Sequence, residues 1–193
     1  MAAWLERGRK RGTISVMRQL LDIDLLDDEA LQGDMALGSL WIVLAGTLLG
    51  VLGAAVCSHE PLSLMWFVML IAISVLVLPI HELVHAIMFK VLSGGRARIT
   101  FGFASWMLYT TAPGCMLGRR SFCAVLLAPS VIVTGGLGVG AAALGWPLLG
   151  WFLAVIHLAG CTGDMAYVRI IASEPQANLV QDTERGISLF HDE

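Results

Sequence analysis

Residues 78–90, LPIHELVHAIMFK, decide the architecture of this chain, because they carry two histidines and a glutamate at the end of an apolar run. The run, residues 62–78, reads LSLMWFVMLIAISVLVL. At a rise of about 1.5 Å per residue, the two stretches together are long enough to cross a bilayer as a helix. Ionisable groups inside such a segment are costly and usually functional. The stretch therefore predicts both a membrane helix and a reactive site on it.

The composition of the whole chain also points to a membrane protein. Of its 193 residues 57% are hydrophobic and 14% are charged, and the mean hydropathy is +0.78. Soluble domains are about 45–50% apolar and about 25% charged. Four apolar blocks are long enough to cross hydrocarbon, at residues 36–57, 62–92, 121–144 and 148–171. The predicted fold class is an all-α polytopic membrane protein with about four transmembrane helices.

The basic residues predict the orientation of the chain. All twelve Lys and Arg lie before the first block, at or within the connection between the second and third blocks, or near the end of the chain. The other two connections, residues 58–61 and 145–147, contain none. Because cytoplasmic segments carry the excess of Lys and Arg, we expect a multi-pass protein of the bacterial cytoplasmic (inner) membrane with both termini in the cytoplasm.

Three local patterns refine this picture. The acidic stretch LLDIDLLDDEALQGD, residues 20–34, predicts a short interfacial or solvated helix. Residues 98–103 alternate with period two and residues 106–111 are rich in strand formers, so a small β-hairpin or re-entrant loop is predicted between the second and third helices. Glycine pairs at 46/50 and 136/140 allow close helix approach, either within one chain or in a homodimer.

The HELVH stretch matches the zinc-binding pattern HExxH. On a helix His81 and His85 are four residues apart and project from one face, so both imidazoles can bind one Zn²⁺. Glu82 lies beside them, where a carboxylate can take a proton from water. A catalytic zinc takes three protein ligands, so a third must come from another segment.

Depth in the membrane suggests the third ligand. His81 lies about 22 Å along its helix from Trp66, and Asp164 lies about 20 Å from Trp151. If the two tryptophans share a depth, Asp164 reaches the level of the histidines. Cys161 and His157 are the alternatives. Because His157 lies only about 9 Å from Trp151, it does not reach the level of the histidines, and the favoured interpretation is a polar residue bonded to a neighbouring helix.

The chain resembles the uncharacterised bacterial membrane family described as "putative zincin peptidase", and more distantly the site-2 protease class of intramembrane metalloproteases. The resemblance covers roughly residues 62–170 and rests on HELVHA, the strand-like loop, Ala128-Pro129 and Gly163-Asp164-Met165. It implies that His81, His85 and Asp164 bind zinc, that Glu82 is the catalytic base, and that residues 98–111 present substrate as an added strand. The sequence has Cys-Thr-Gly-Asp at 161–164, where the site-2 class usually has an Asn-Pro-Asp-Gly-like signature.

These observations predict an intramembrane zinc metalloprotease. The expected organisation is a cytoplasmic segment at residues 1–35, a membrane metalloprotease-like domain at 36–171 and a cytoplasmic tail at 172–193. The expected partners are a membrane-protein or peptide substrate and the lipid bilayer, with no nucleic acid. The alternative is a non-proteolytic zinc-binding membrane module, or an inactive protease homologue that acts as a protein partner. The presence of Glu82 argues against it, since a structural zinc site has no need of that carboxylate.

Overall fold

The computed structural model describes residues 17–24, 28–57, 60–104 and 107–192. Within these ranges the chain is mostly helical, and it contains five helices and two small sheets. The helices are α1 (Glu29–Cys57), α2 (Leu64–Leu92), α3 (Arg119–Ala143), α4 (Pro147–Gly160) and α5 (Thr162–Ser173). The strands are β1 (Met17–Asp24), β2 (Thr100–Ala104), β3 (Met107–Thr111), β4 (Met116–Gly118), β5 (Leu179–Asp182) and β6 (Gly186–Asp192).

Three helices, α1, α2 and α3, are long and apolar enough to cross a membrane. The fourth apolar block is not one straight helix, because α4 and α5 meet at Cys161 with a bend of 49°. The chain has up to four spans if this pair is counted as one. At the break, the Ala159 carbonyl accepts a hydrogen bond of 2.7 Å from the Ser39 hydroxyl. A side-chain hydroxyl thus satisfies a backbone carbonyl at the break in the helix.

The glycine pair Gly46 and Gly50 packs α1 against α4 within one chain. A Cβ atom on Gly46 would lie 2.5 Å from Val155 Cγ1, and one on Gly50 would lie 2.8 Å from the Trp151 ring. Trp151 Nε1 also donates a hydrogen bond of 2.8 Å to the Gly46 carbonyl. The absence of side chains on α1 therefore lets the two helices approach closely enough for a ring to reach the backbone.

A four-stranded antiparallel sheet with the order β1-β6-β5-β4 joins the two ends of the chain. Its inner side chains Val180, Ile187 and Leu189 are buried in one core with Phe122 and Ile171. The sheet corrects two predictions: the fold is not all-α, and residues 20–24 of the acidic segment lie in a strand where a helix was expected, although its residues 29–34 are helical. The strand is specified by pairing with β6, which is far away in sequence, and this pairing overrides the local helical pattern.

The predicted hairpin between the second and third helices is confirmed. Strands β2 and β3 are antiparallel, with Phe101 opposite Thr110 and Phe103 opposite Leu108. The Thr110 hydroxyl donates a hydrogen bond of 3.0 Å to the Glu82 carbonyl on α2. The hairpin is therefore attached to α2 at the HExxH stretch.

Asp182 at the end of β5 holds the turn that connects the hairpin to the larger sheet. The turn is closed by a bond from Cys115 N to Ala112 O, with Gly114 at a φ of +76°, which glycine adopts without strain. The Asp182 side chain accepts from the Ala112 N–H, and its backbone bonds to both Gly114 and Cys115. Burial raises the pKa of the Asp182 carboxyl to about 7. The C-terminal strands thus support the hairpin next to α2.

Candidate metal centre

Helix α2 carries both histidines of the HExxH stretch on the face that meets α5. His81 Nε2 lies 3.3 Å from one carboxylate oxygen of Asp164, and His85 Nε2 lies 3.3 Å from the other. The two Nε2 atoms are 3.1 Å apart. The structure therefore brings together the three side chains that the sequence predicted as metal ligands, although they come from helices distant in sequence.

The break between α4 and α5 places Asp164 in this cluster. Asp164 lies in the first turn of α5, where the helix N-terminus favours a negative charge. The preceding Thr162 bonds to Ser39 of α1, with 2.8 Å between the two hydroxyl oxygens. Met35 of α1 packs over Gly163, so a Cβ atom there would lie 3.1 Å from the Met35 Cε. Helix α1 thereby fixes the start of α5 and with it the Asp164 carboxylate.

Each histidine of the cluster has a partner for its other ring nitrogen. His85 Nδ1 lies 3.1 Å from the Val125 carbonyl of α3. Because a carbonyl can only accept, Nδ1 of His85 carries a proton, and Nε2 of the neutral ring can bind a metal. His81 Nδ1 lies 3.1 Å from His157 Nε2 of α4. Such outer partners orient metal-binding imidazoles and fix their tautomers.

His157 lies at the level of His81, which the distance along its helix from Trp151 did not predict. The 3.1 Å contact between His157 Nε2 and His81 Nδ1 corrects the predicted depth and agrees with the interpretation that His157 is bonded to a neighbouring helix. Residue counting measures only the rise along a helix axis and ignores helix tilt and side-chain reach. His81, His157 and Cys161 accordingly form a second group of neighbouring side chains that could hold a metal, with Cys161 Sγ 3.9 Å from His81 Nδ1.

The two groups differ in how well their atoms suit a zinc ion. Zinc with nitrogen and oxygen ligands at about 2.0–2.1 Å in tetrahedral geometry separates its ligand atoms by about 3.3 Å. In the His81, His85 and Asp164 group the contacts are 3.1 and 3.3 Å, so this set fits. In the other group His157 meets His81 through Nε2 but approaches Cys161 through Nδ1, which is also bonded to Thr134. In this second group His157 thus makes its contacts with His81 and with Cys161 through different nitrogens.

Glu82 is the remaining polar residue of the HExxH stretch. Its side chain is half-buried, and neither candidate metal group among the described residues includes it. It directly follows His81 on α2, and the hairpin residue Thr110 bonds to its carbonyl. A carboxylate in this position is close to the cluster without being one of the ligands, which is what a general base requires.

The structure defines the class of protein: a mostly helical chain with helices apolar enough for a membrane and a buried cluster that fits zinc. The family model described as "Putative zincin peptidase" matches residues 74–179, more than half of the chain, and the chain belongs to this family. The matched segment contains both histidines, Glu82 and Asp164. The family indicates a zinc metallopeptidase. Comparisons with curated proteins and with solved structures found no match.

Proposed function

We propose that this chain is an intramembrane zinc metalloprotease that hydrolyses peptide bonds in membrane-embedded or membrane-adjacent substrates. The observation that carries the proposal is the Asp164 carboxylate, whose two oxygens each face the Nε2 atom of one HExxH histidine. This arrangement lies on a helix whose exposed side chains are apolar, among them Leu76, Leu83 and Ile87. Membership of the zincin family supports peptide hydrolysis as the reaction.

The side chains of the cluster have distinct roles in this proposal. His81, His85 and Asp164 hold the zinc ion. When bound, zinc supplies Lewis acidity and makes water a nucleophile near neutral pH. Glu82 takes the proton from the attacking water and passes it to the leaving amine as the peptide bond breaks. His85 is buried and the His81 side chain is only 14% exposed, so little of either ring is open to bulk water.

The order of these residues supports a distant relation to the site-2 protease class. In this chain and in the site-2 class alike, HExxH lies on one apolar helix and an aspartate follows on a later helix. In this chain the aspartate belongs to Cys161-Thr162-Gly163-Asp164, and its approach to the histidines depends on the bend between α4 and α5. The local signature therefore differs, whereas the ligand types and their order along the chain agree.

The test of the proposal is metal analysis of the purified protein combined with cleavage of a model membrane substrate in detergent or liposomes. We expect about one zinc per chain, as for a three-ligand catalytic site, and cleavage that a chelator abolishes and added zinc restores. Zinc-loaded protein that cleaves none of a panel of membrane substrates would favour the non-proteolytic module. Protein that binds no zinc would contradict both.

We further propose that the hairpin holds the substrate as an added strand. A helical substrate buries its scissile carbonyl, and pairing with a strand edge would keep it extended. The hairpin is bonded to α2 at Glu82, and the Phe101 side chain on β2 is 56% exposed.

Proline at Phe101 or Phe103 is expected to reduce cleavage while zinc binding is kept, because proline removes a backbone donor from β2. Zinc content and cleavage would be measured on the same preparations. Phe103→Leu is the matched control, since it alters the side chain and preserves the N–H group, and its cleavage should be close to that of the wild type. Equal cleavage by the proline variants would contradict strand addition.

We place the chain in the bacterial cytoplasmic membrane with the metal centre nearer the cytoplasmic side. The basic residues at the C-terminal end of α2, in the following loop and at the N-terminal end of α3 support this orientation. They are Lys90, Arg96, Arg98, Arg119 and Arg120.

Cysteine labelling tests the orientation. An impermeant thiol reagent added outside should label a Leu144→Cys variant, whose position is 80% exposed at the far end of α3, and should not label Arg98→Cys. The parent protein with its native cysteines is the background control, and permeabilised cells should label both variants. The reverse pattern in intact cells would place the loop outside.

A further inference from the structure

A chain of hydrogen bonds connects three helices behind the metal centre. His81 Nδ1 on α2 lies 3.1 Å from His157 Nε2 on α4, and His157 Nδ1 lies 2.8 Å from Thr134 Oγ1 on α3. His157 is 8% exposed, so water does not substitute for these partners. Neither His157 nor Thr134 belongs to the HExxH stretch or to the Asp164 segment. A buried histidine with both ring nitrogens engaged has one defined orientation.

The roles of the atoms in this chain follow once zinc is bound at the cluster. With Nε2 of His81 on the metal, the proton of the neutral ring would be on Nδ1. That N–H group then donates to Nε2 of His157. The proton of His157 is in turn on Nδ1 and donates to the Thr134 hydroxyl oxygen. Each N–H group of the two histidines in this pattern therefore meets an acceptor.

The two histidines of the HExxH stretch are oriented by different means. His85 donates to the Val125 carbonyl, a backbone group that side-chain substitution does not remove. His81 depends on His157, which is a side chain. Loss of His157 would leave a buried Nδ1–H group without an acceptor, and the ring could rotate or change tautomer to avoid this cost.

We propose that His157 is a positioning residue that holds His81 in the Nδ1-protonated tautomer with Nε2 aimed at the metal, and that Thr134 orients His157 in turn. The proposal rests on the zinc site of the proposed function and adds to it a specific pair of supporting side chains. It also accounts for two polar residues, His157 and Thr134, in the middle of apolar helices, where an unpaired polar group is costly.

The competing interpretation is that His157 is itself a metal ligand together with His81 and Cys161. The atoms argue against it. Cys161 Sγ lies 3.2 Å from the His157 carbonyl, to which its S–H group donates one helical turn back. Its distances to His81 Nδ1 and His157 Nδ1 are 3.9 and 3.8 Å. The nitrogen of His157 nearest to Cys161 is the one already bonded to Thr134.

Zinc affinity, measured by competition with a chromophoric chelator, tests the proposal without an activity assay. His157→Leu should still bind one zinc at saturation but about 10–100-fold more weakly, as is typical when the outer partner of a metal ligand is lost. His157→Gln should stay close to the wild type, because its amide oxygen can accept from His81. Thr134→Val should weaken zinc binding less than His157→Leu does. Thr134→Ser, which keeps the hydroxyl, should bind zinc as tightly as the wild type. Leu153→Ala, a buried change one turn away on α4, is the packing control and should leave the affinity unchanged.

Nitrogen NMR of ¹⁵N-histidine-labelled, zinc-loaded protein supplies a second measurement, because it detects the hydrogen bond of the His81 Nδ1–H group. This N–H signal should exchange slowly with water in the wild type and in His157→Gln, and faster in His157→Leu. Unchanged affinity and an unchanged His81 N–H signal in His157→Leu would overturn the proposal. Loss of zinc stoichiometry in both His157→Leu and Cys161→Ala would also overturn it, by making His157 a ligand. If the wild type binds no zinc, the proposed function and the present inference both fail, whereas a wild type that binds zinc and a His157→Leu variant that binds it equally well overturn only the present inference.

Discussion

Glu82→Gln is expected to bind zinc as the wild type does and to lose cleavage by at least about 10²–10⁴-fold, the usual contribution of a general base. Glutamine has nearly the shape of glutamate, so the half-buried position next to His81 should be filled in the same way. It cannot accept the proton of the attacking water. The measurement is the cleavage rate of each preparation, divided by its zinc content.

The control for this change is Glu184→Gln, the same substitution at an exposed position on the connection between β5 and β6. It should retain both zinc and cleavage. If Glu82→Gln cleaves as fast as the wild type, Glu82 is not the base and the mechanism fails. If Glu82→Gln loses zinc, the carboxylate belongs to the ligand set and the assignment of Asp164 needs revision.

Asp164→Ala is expected to lose zinc and cleavage together. The Asp164 carboxylate contacts both histidines at 3.3 Å, and its removal leaves two imidazoles and no anionic ligand. The loss of affinity should exceed the about 10–100-fold that follows from removing an outer partner. The chelator competition used for His157 measures it on the same scale.

Cys161→Ala is the discriminating companion to this variant, because Cys161 lies only three residues away at the break between α4 and α5. It should keep zinc and most of the cleavage. If instead Cys161→Ala loses zinc and Asp164→Ala retains it, the metal is held by the group of His81, His157 and Cys161, and the proposed mechanism would have to be rebuilt around that group.

The helices and the HExxH stretch could be predicted because both depend only on residues that are close together in the sequence. Apolar blocks of about 20 residues identify helices that can cross a membrane, and the blocks at 36–57, 62–92 and 121–144 correspond to α1, α2 and α3. The four-residue spacing of His81 and His85 places both on one face of any helix. The period-two pattern after α2 predicted the β2–β3 hairpin for the same reason, since strand alternation is also a local property.

The four-stranded sheet could not be predicted in this way. Its strands β1 and β6 come from opposite ends of the chain, and β1 lies in an acidic stretch whose spacing resembles a helix. Pairing decides the outcome, because backbone donors and acceptors of the two segments satisfy each other and the inner side chains join the core around Phe122 and Ile171. No pattern within either segment alone contains that information.

Local sequence by itself determined that the chain has apolar helices, that a glutamate and two histidines lie on one of them, and that the chain resembles the zincin family. Only the tertiary structure decided which other side chains reach those histidines. The bend at Cys161 brings Asp164 to both imidazoles, and the approach of α4 to α2 and α3 connects His157 to His81 and Thr134. Contacts of this kind depend on helix tilt, on the break in a helix and on side-chain reach, and none of these can be read from the number of residues between two positions.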